Sequence, residues 1–189
     1  MVGRLDDEEL LRRCRAGDQD GYAELFRRYR DRAYRLAYVI TGDPGLSEDV
    51  TQEAFIQAFR RLENVRPGSP FGPWFFAIVA HCARRQGRAR RTPWLALPAA
   101  ESLSDTRAAD ALDAVESEVW RAVQDLPVDL RVLVALRYVL DLTEAEAAHV
   151  LRLPLGTVKS RLHRARRLLR QALDPLVKEA DPAWTTSTR

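Results

Sequence analysis

The chain has 189 residues, 46% of them hydrophobic and 30% charged, and a net charge of only +3. That is too apolar for a disordered chain, and the length allows one medium domain or two small ones. Cys14 and Cys82 stand far apart outside any CxxC or Cys/His cluster, and no apolar run nears membrane-spanning length. Neither a disulfide framework, a zinc site, a signal peptide nor membrane insertion is therefore expected.

In chain order the elements read as helices. Asp6 or Asp7 caps a first short helix carrying Leu10, Leu11 and Cys14, which Gly17 ends. Asp18 or Asp20 starts a longer one, whose Tyr22, Leu25, Phe26, Tyr29, Ala33, Leu36, Ala37 and Ile40 recur at spacings of three and four and form one apolar stripe. Gly42-Asp43-Pro44-Gly45 predicts a turn, after which Ser47 opens a third helix with Val50, Ala54, Phe55, Ala58, Phe59 and Leu62 inward. Three prolines and two glycines exclude helix from Arg66 to Pro73. A fourth helix is expected from about Trp74 to Arg90, apolar at its start and basic at its end, with Phe75 in the core.

Residues 93–112 turn to Pro, Ala, Ser and Asp, the composition of a flexible linker. Helical periodicity returns near Ala114, breaks at Leu126-Pro127 and resumes through Leu130, Leu133, Val134, Leu136 and Tyr138. No packing pattern is visible beyond Pro175. Charge is segregated along this order: Arg84 to Arg91 is basic, 101–118 acidic, and 159–170 holds six bases and no acid. Two basic stretches split by an acidic one fit two surfaces that meet a polyanion.

The strongest local signal is LTEAEAAHVLRLPLGTVKSRLHRARRLLR, residues 142–170. Thr143 and Glu146 form a capping box, Leu153-Pro154 breaks the short helix that follows, and a second helix starts near Leu155–Thr157 with Val158, Leu162, Ala165, Leu168 and Leu169 inward. Two helices joined by so short a turn make a helix-turn-helix, with Ala148 small enough for close approach. The outward face of the second helix carries Lys159, Ser160, His163, Arg164 and Arg167, side chains suited to phosphates and base edges. The same face also reads as a solvated basic surface, and His163 as an incidental histidine. His81, His149 and His163 are too separated to hold a metal, and no nucleophile has an evident base, so no cofactor, metal or enzymatic chemistry is expected.

LRYVLDLTEAEAAHVLRLPLGTVKSRLHRARRLLR, preceded by Leu126-Pro127 and Arg131, resembles the C-terminal domain (σ4) of extracytoplasmic-function (ECF) RNA polymerase sigma factors. EDVTQEAF at 48–55 and the stretch from Arg66 to Arg91 resemble σ2, the first as the segment that grips the polymerase β′ coiled coil, the second as the loop and helix that read and open the promoter −10 element. The resemblance implies an all-α protein of two small domains: a four-helix σ2 over residues 1–92, a linker over 93–112, a helix-turn-helix σ4 over 113–175 and a tail over 176–189. It implies core RNA polymerase (β′ coiled coil and β flap) and promoter DNA as partners, an anti-sigma protein as regulator, and a cytoplasmic site of action.

The resemblance also distributes roles. Asp49, Val50, Gln52, Glu53 and Phe55 would dock on core polymerase, the first, third and fourth as polar groups and the others as apolar area. Trp74, His81, Arg84, Arg85 and Arg88 would hold the melted −10 strand, while Thr157, Lys159, Ser160, His163, Arg164 and Arg166 would contact the −35 element. Arg152 stands where the family commonly has Gly, so it either takes a left-handed conformation or the turn differs. An ordinary helix-turn-helix repressor would leave EDVTQEAF and the Pro-rich loop unexplained, and a helical adaptor would not require Arg on the outer face of the second helix.

Overall fold

The computed structural model describes residues 6–65, 68–89 and 110–180, with backbone alone for 88–89, 110–116 and 175–180. Among the described residues all regular structure is helical: α1 (Asp7–Arg15), α2 (Gln19–Thr41), α3 (Pro44–Arg60), α4 (Phe71–Ala89), α5 (Asp110–Asp125), α6 (Val128–Val134), α7 (Glu144–Leu151) and α8 (Leu155–Ala180).

The first three helices begin where a carboxylate can take up the unpaired amides of a first turn. Asp6 accepts from Glu9 N at 2.8 Å, Asp18 from Asp20 N at 2.9 Å and Asp43 from Leu46 N at 2.8 Å. Gly42 ends α2 at φ 72°, a left-handed conformation that only glycine adopts cheaply. Two helix starts differ from the sequence expectation. α3 begins at Pro44 rather than Ser47, because proline at the first helical position has no amide to waste and a preset φ. Ser47 instead lies buried one turn in, its hydroxyl donating to Asp43 O at 2.6 Å. α4 begins at Phe71 rather than Trp74, since Pro73 falls in the first turn, where its missing N–H breaks no bond.

α1 to α4 form the N-terminal domain. Leu25, Leu36, Ile40, Val50, Phe71 and Phe75 are fully buried, and Phe76 nearly so. Tyr29 is at the centre, edge-on to Phe71 at 5.0 Å and to Phe75 at 5.9 Å. Burial and a hydrogen bond donated to the Asp7 carboxylate push its phenol well above the usual range. The α2 stripe is inward as expected except at its start, where Tyr22 is half-buried and Phe26 remains 39% exposed. Cys14 and Cys82 are buried free thiols, both pushed up to about 11 by burial.

The C-terminal domain wraps α8 with α5, α6 and α7. Val158, Leu162 and Ala165 are buried, and Leu168 and Leu169 pack half-buried beside Leu126, Leu130 and Val134. The helix expected across Leu130 to Tyr138 changes its hydrogen-bonding pattern midway: after α6, Ala135–Val139 forms a π-helical turn and Leu140 N donates to Ala135 O at 3.1 Å. α5 starts at Asp110, within the stretch read as linker, and α8 continues through Pro175 to Ala180. The rest of that linker, and residues 181–189, lie outside the described residues. One apolar cluster joins the domains, with Val132, Leu133 and Leu136 continuous with the core of α2, α3 and α4.

Candidate nucleic-acid interface

The helix-turn-helix is built by local chemistry. Thr143 Oγ1 accepts from Glu146 N at 3.2 Å, while Glu146 accepts from Thr143 N and from its hydroxyl, each at 2.7 Å. These donors hold the Glu146 carboxyl below its usual range. α7 ends on Arg152, which takes the left-handed conformation (φ 52°, ψ 44°) that glycine would take without cost. Leu153 N then donates back to Ala148 O at 3.0 Å, satisfying a terminal carbonyl in the manner of a Schellman turn.

Of the α8 residues expected at DNA, Lys159, Ser160, His163, Arg164 and Arg166 are exposed and Thr157 is half-buried. The inward positions Val158, Leu162 and Ala165 fix which way that face turns. Ser160 Oγ donates to Thr157 O at 3.0 Å, and Arg166 lies 3.5 Å from Glu144, linking α8 to α7.

On α3, Asp49 and Gln52 are exposed and Glu53 is half-buried. Glu53 accepts from Arg85 at 2.5 and 2.6 Å and from Gln57 at 2.8 Å. Burial works to raise its carboxyl, but the Arg85 and Gln57 hydrogen bonds and the Arg85 charge outweigh it and hold the group below the usual range. Val50 and Phe55, expected to add apolar area here, are instead in the core at 0% and 3% exposure. Phe55 packs between Phe26 of α2 at 4.7 Å and Phe75 of α4 at 4.5 Å, and the apolar residue that reaches solvent is Ile56, at 50%.

On α4, Phe75 is buried as expected, Phe76 is buried with it, and Trp74 is half-buried against Phe71 at 5.7 Å. His81 is exposed. Arg84 pairs with Asp129 of α6, and Arg85 with Glu53; the Arg88 side chain lies outside the described residues. Trp74, His81 and Arg84 line one wall of a cleft of about 1040 Å³, and His149, Leu151 and Arg152 of the helix-turn-helix line the other. Sequence reasoning used Arg131 only as a landmark. It is buried, with hydrogen bonds to Gln124, Leu126 and Ile40, and only its isolation among aliphatic residues in LRVLVAL hinted at that.

A helical N-terminal domain followed by a helix-turn-helix with a basic outer face defines a two-domain DNA-reading protein. Residues 25–92 match the model for Sigma-70 region 2, and residues 116–169 that for Sigma-70, region 4. The chain is 33% identical over 193 residues to the RNA polymerase sigma-H factor of Pseudomonas aeruginosa, covering 95% of this chain and 100% of that one. It is 32% identical over 193 residues to the ECF RNA polymerase sigma-E factor of Escherichia coli, with 94% and 100% covered. Among solved structures, CnrH in complex with the cytosolic domain of CnrY superposes with a TM-score of 0.69 at 26% identity, over 89% of this chain and 97% of CnrH. The sigma factor RpoE in complex with the anti-sigma factor NepR from Bartonella quintana shares the fold, at a TM-score of 0.63 and 20% identity over 81% and 96%. The chain belongs to the ECF RNA polymerase sigma factors, which direct promoter-specific transcription initiation with core RNA polymerase and promoter DNA as partners.

Proposed function

We propose that the work is divided between the domains as follows. Residues 1–92 dock on core polymerase and read and open the −10 element; 93–112 link them to 113–175, which read the −35 element; 176–189 are a tail. Asp49, Gln52 and Glu53 meet the β′ coiled coil with Ile56 as the apolar contact, and the C-terminal domain meets the β flap. Trp74, His81, Arg84, Arg85 and Arg88 hold the melted −10 strand, for which Arg84 and Arg85 exchange their carboxylate partners for phosphates. Thr157, Lys159 and Arg166 hold phosphates at the −35 element, and Ser160, His163 and Arg164 face its bases. The protein performs no chemistry itself, takes no cofactor and acts in the cytoplasm, and an anti-sigma protein restrains it.

The observation that carries this reading is the α8 face, where Lys159, Ser160, His163 and Arg164 stand exposed on a helix anchored by buried Val158, Leu162 and Ala165. Arg164 and Lys159 separate base reading from phosphate holding. A bidentate arginine discriminates a base by about 1–3 kcal/mol, so Arg164→Ala is expected to flatten preference at one or two −35 positions. Lys159→Ala is expected to weaken all promoters alike and to lower the salt dependence by about one counterion. Transcription with core polymerase from a library of single-base −35 variants, at two salt concentrations, tests both. Uniform loss for Arg164→Ala with altered ranking for Lys159→Ala would reverse the roles, and no effect of either would remove α8 as the promoter reader.

A further inference from the structure

The cleft between α4 and α7, about 1040 Å³, stands at the upper end of the roughly 300–1,000 Å³ typical of small-ligand sites. Three helices set cationic or donor side chains around it: Arg61 at the end of α3, His81 and Arg84 on α4, and His149 and Arg152 at the end of α7. Among the described residues no carboxylate lines it, although Asp and Glu make up 27 of the 189 residues. Arg84 has Asp129 as partner, whereas Arg61 and Arg152 are exposed and make no ion pair among the described residues. A cleft lined by one sign of charge focuses its field and concentrates counter-ions. Its apolar part is equally defined. Trp74 is half-buried, meeting Phe71 at 5.7 Å and 47°, and lines the cleft beside Ile78 and Leu151.

We propose that this cleft binds a free nucleoside polyphosphate, with the base on Trp74 and the phosphates among Arg61, Arg84 and Arg152. Guanidinium forks match phosphate oxygens in pairs, and an indole stacks on the face of any base. An inorganic polyanion would leave Trp74, Ile78 and Leu151 without a partner, and an apolar ligand would leave the cations unneutralised. A melted DNA strand carries the same two groups, base and phosphate, but fits this cleft less well. Such a strand has one phosphate per nucleotide, whereas three guanidiniums gather around one site. The wall that carries His149 and Arg152 also belongs to the domain assigned to the −35 element, not the −10 element. Because Trp74, His81 and Arg84 are assigned to the −10 strand as well, a bound nucleotide and that strand are expected to compete.

Calorimetric titration of the full chain with ATP, GTP, adenosine and inorganic tripolyphosphate tests the site. One ATP or GTP per chain is expected to bind, with adenosine and tripolyphosphate each about tenfold weaker or more. Arg152→Gly removes a guanidinium from the cleft while glycine keeps the left-handed backbone, and is expected to weaken ATP and GTP about tenfold. Its run-off transcription is expected to match that of the unsubstituted chain, since Arg152 has no place among the promoter contacts. Trp74→Ala is expected to bring ATP to the affinity of tripolyphosphate; where that variant loses helicity, Arg152→Gly decides alone. No binding of either nucleotide would overturn the site, as would tripolyphosphate bound as tightly as ATP, or ATP binding unchanged by Arg152→Gly. A single-stranded −10 oligonucleotide that loses the same factor in Arg152→Gly, with run-off transcription falling alongside, would assign the cleft to the melted strand and overturn it too. Nucleotide binding as expected, in an unsubstituted chain that fails run-off transcription, would uphold the site and refute the promoter-reading assignment.

Discussion

The N-terminal domain packs Phe71, Phe75 and Phe76 against Tyr29, whereas the buried apolar residues described in the C-terminal domain are aliphatic or alanine and enclose one guanidinium, that of Arg131. Aromatic side chains each bury roughly 150–250 Å², so a few of them make a short four-helix domain self-sufficient. A core of Leu, Val and Ala around α8 has less to bury, and its polar keystone also reaches into the neighbouring domain. The N-terminal domain is thus expected to be the more stable of the two, and the C-terminal domain packs against it through Val132, Leu133 and Leu136. The contact between the domains combines both kinds of interaction, that apolar cluster and the hydrogen bond from Arg131 to Ile40 O.

Substitutions can break this contrast in turn. Phe75→Ala removes a fully buried ring that touches Tyr29, Phe55 and Phe71, and is expected to cost about 3–5 kcal/mol, measured by denaturant unfolding. The loss should fall on amide protection in α2 to α4; equal loss in α8 would mean that the domains unfold as one. Arg131→Met keeps much of the volume and deletes charged hydrogen bonds worth about 1.5–3 kcal/mol each before solvation is offset. Hydrogen exchange is expected to speed up in α5 and α6 and at the α2 terminus, with the aromatic core unchanged; protection lost throughout α2 to α4 would contradict the division.

Thr143→Ala deletes one arm of the capping box and is expected to lower the stability of the C-terminal domain by about 1 kcal/mol, read as faster exchange in α7 alone. The smallest effect has the opposite sign. Arg152→Gly relieves a left-handed non-glycine residue, and after the entropy lost by glycine about 0.5 kcal/mol of stabilisation is expected in thermal unfolding. A destabilised Arg152→Gly would mean that the arginine side chain contributes more than its backbone conformation costs.

Much of this was legible in the chain because it is local. A cap at Asp6 or Asp7, one at Asp18 or Asp20 and one at Thr143, the α2 stripe and the inward positions of α8 all follow from spacings of three or four residues, and the structure selects Asp6 and Asp18. Arg152 was readable as a place where the backbone takes a left-handed conformation or the turn changes, and the first holds. α3 and α4 start earlier than the sequence expectation because proline, a breaker inside a helix, has no bond to lose in a first turn. On α3, apolar character alone does not separate Val50 and Phe55, which are buried, from Ile56, which is half exposed.

The amino-acid order by itself determined a helical chain with two basic stretches and the helix-turn-helix that carries one of them, because capping, periodicity and charge segregation act within a few residues of one another. Only the tertiary structure decided which charges are available. Glu53 is held by Arg85, 32 residues away, Arg84 by Asp129 at 45, and Ile40 is capped by Arg131 at 91. No local period records pairings at such separations; they depend on which helix ends the packed cores bring together.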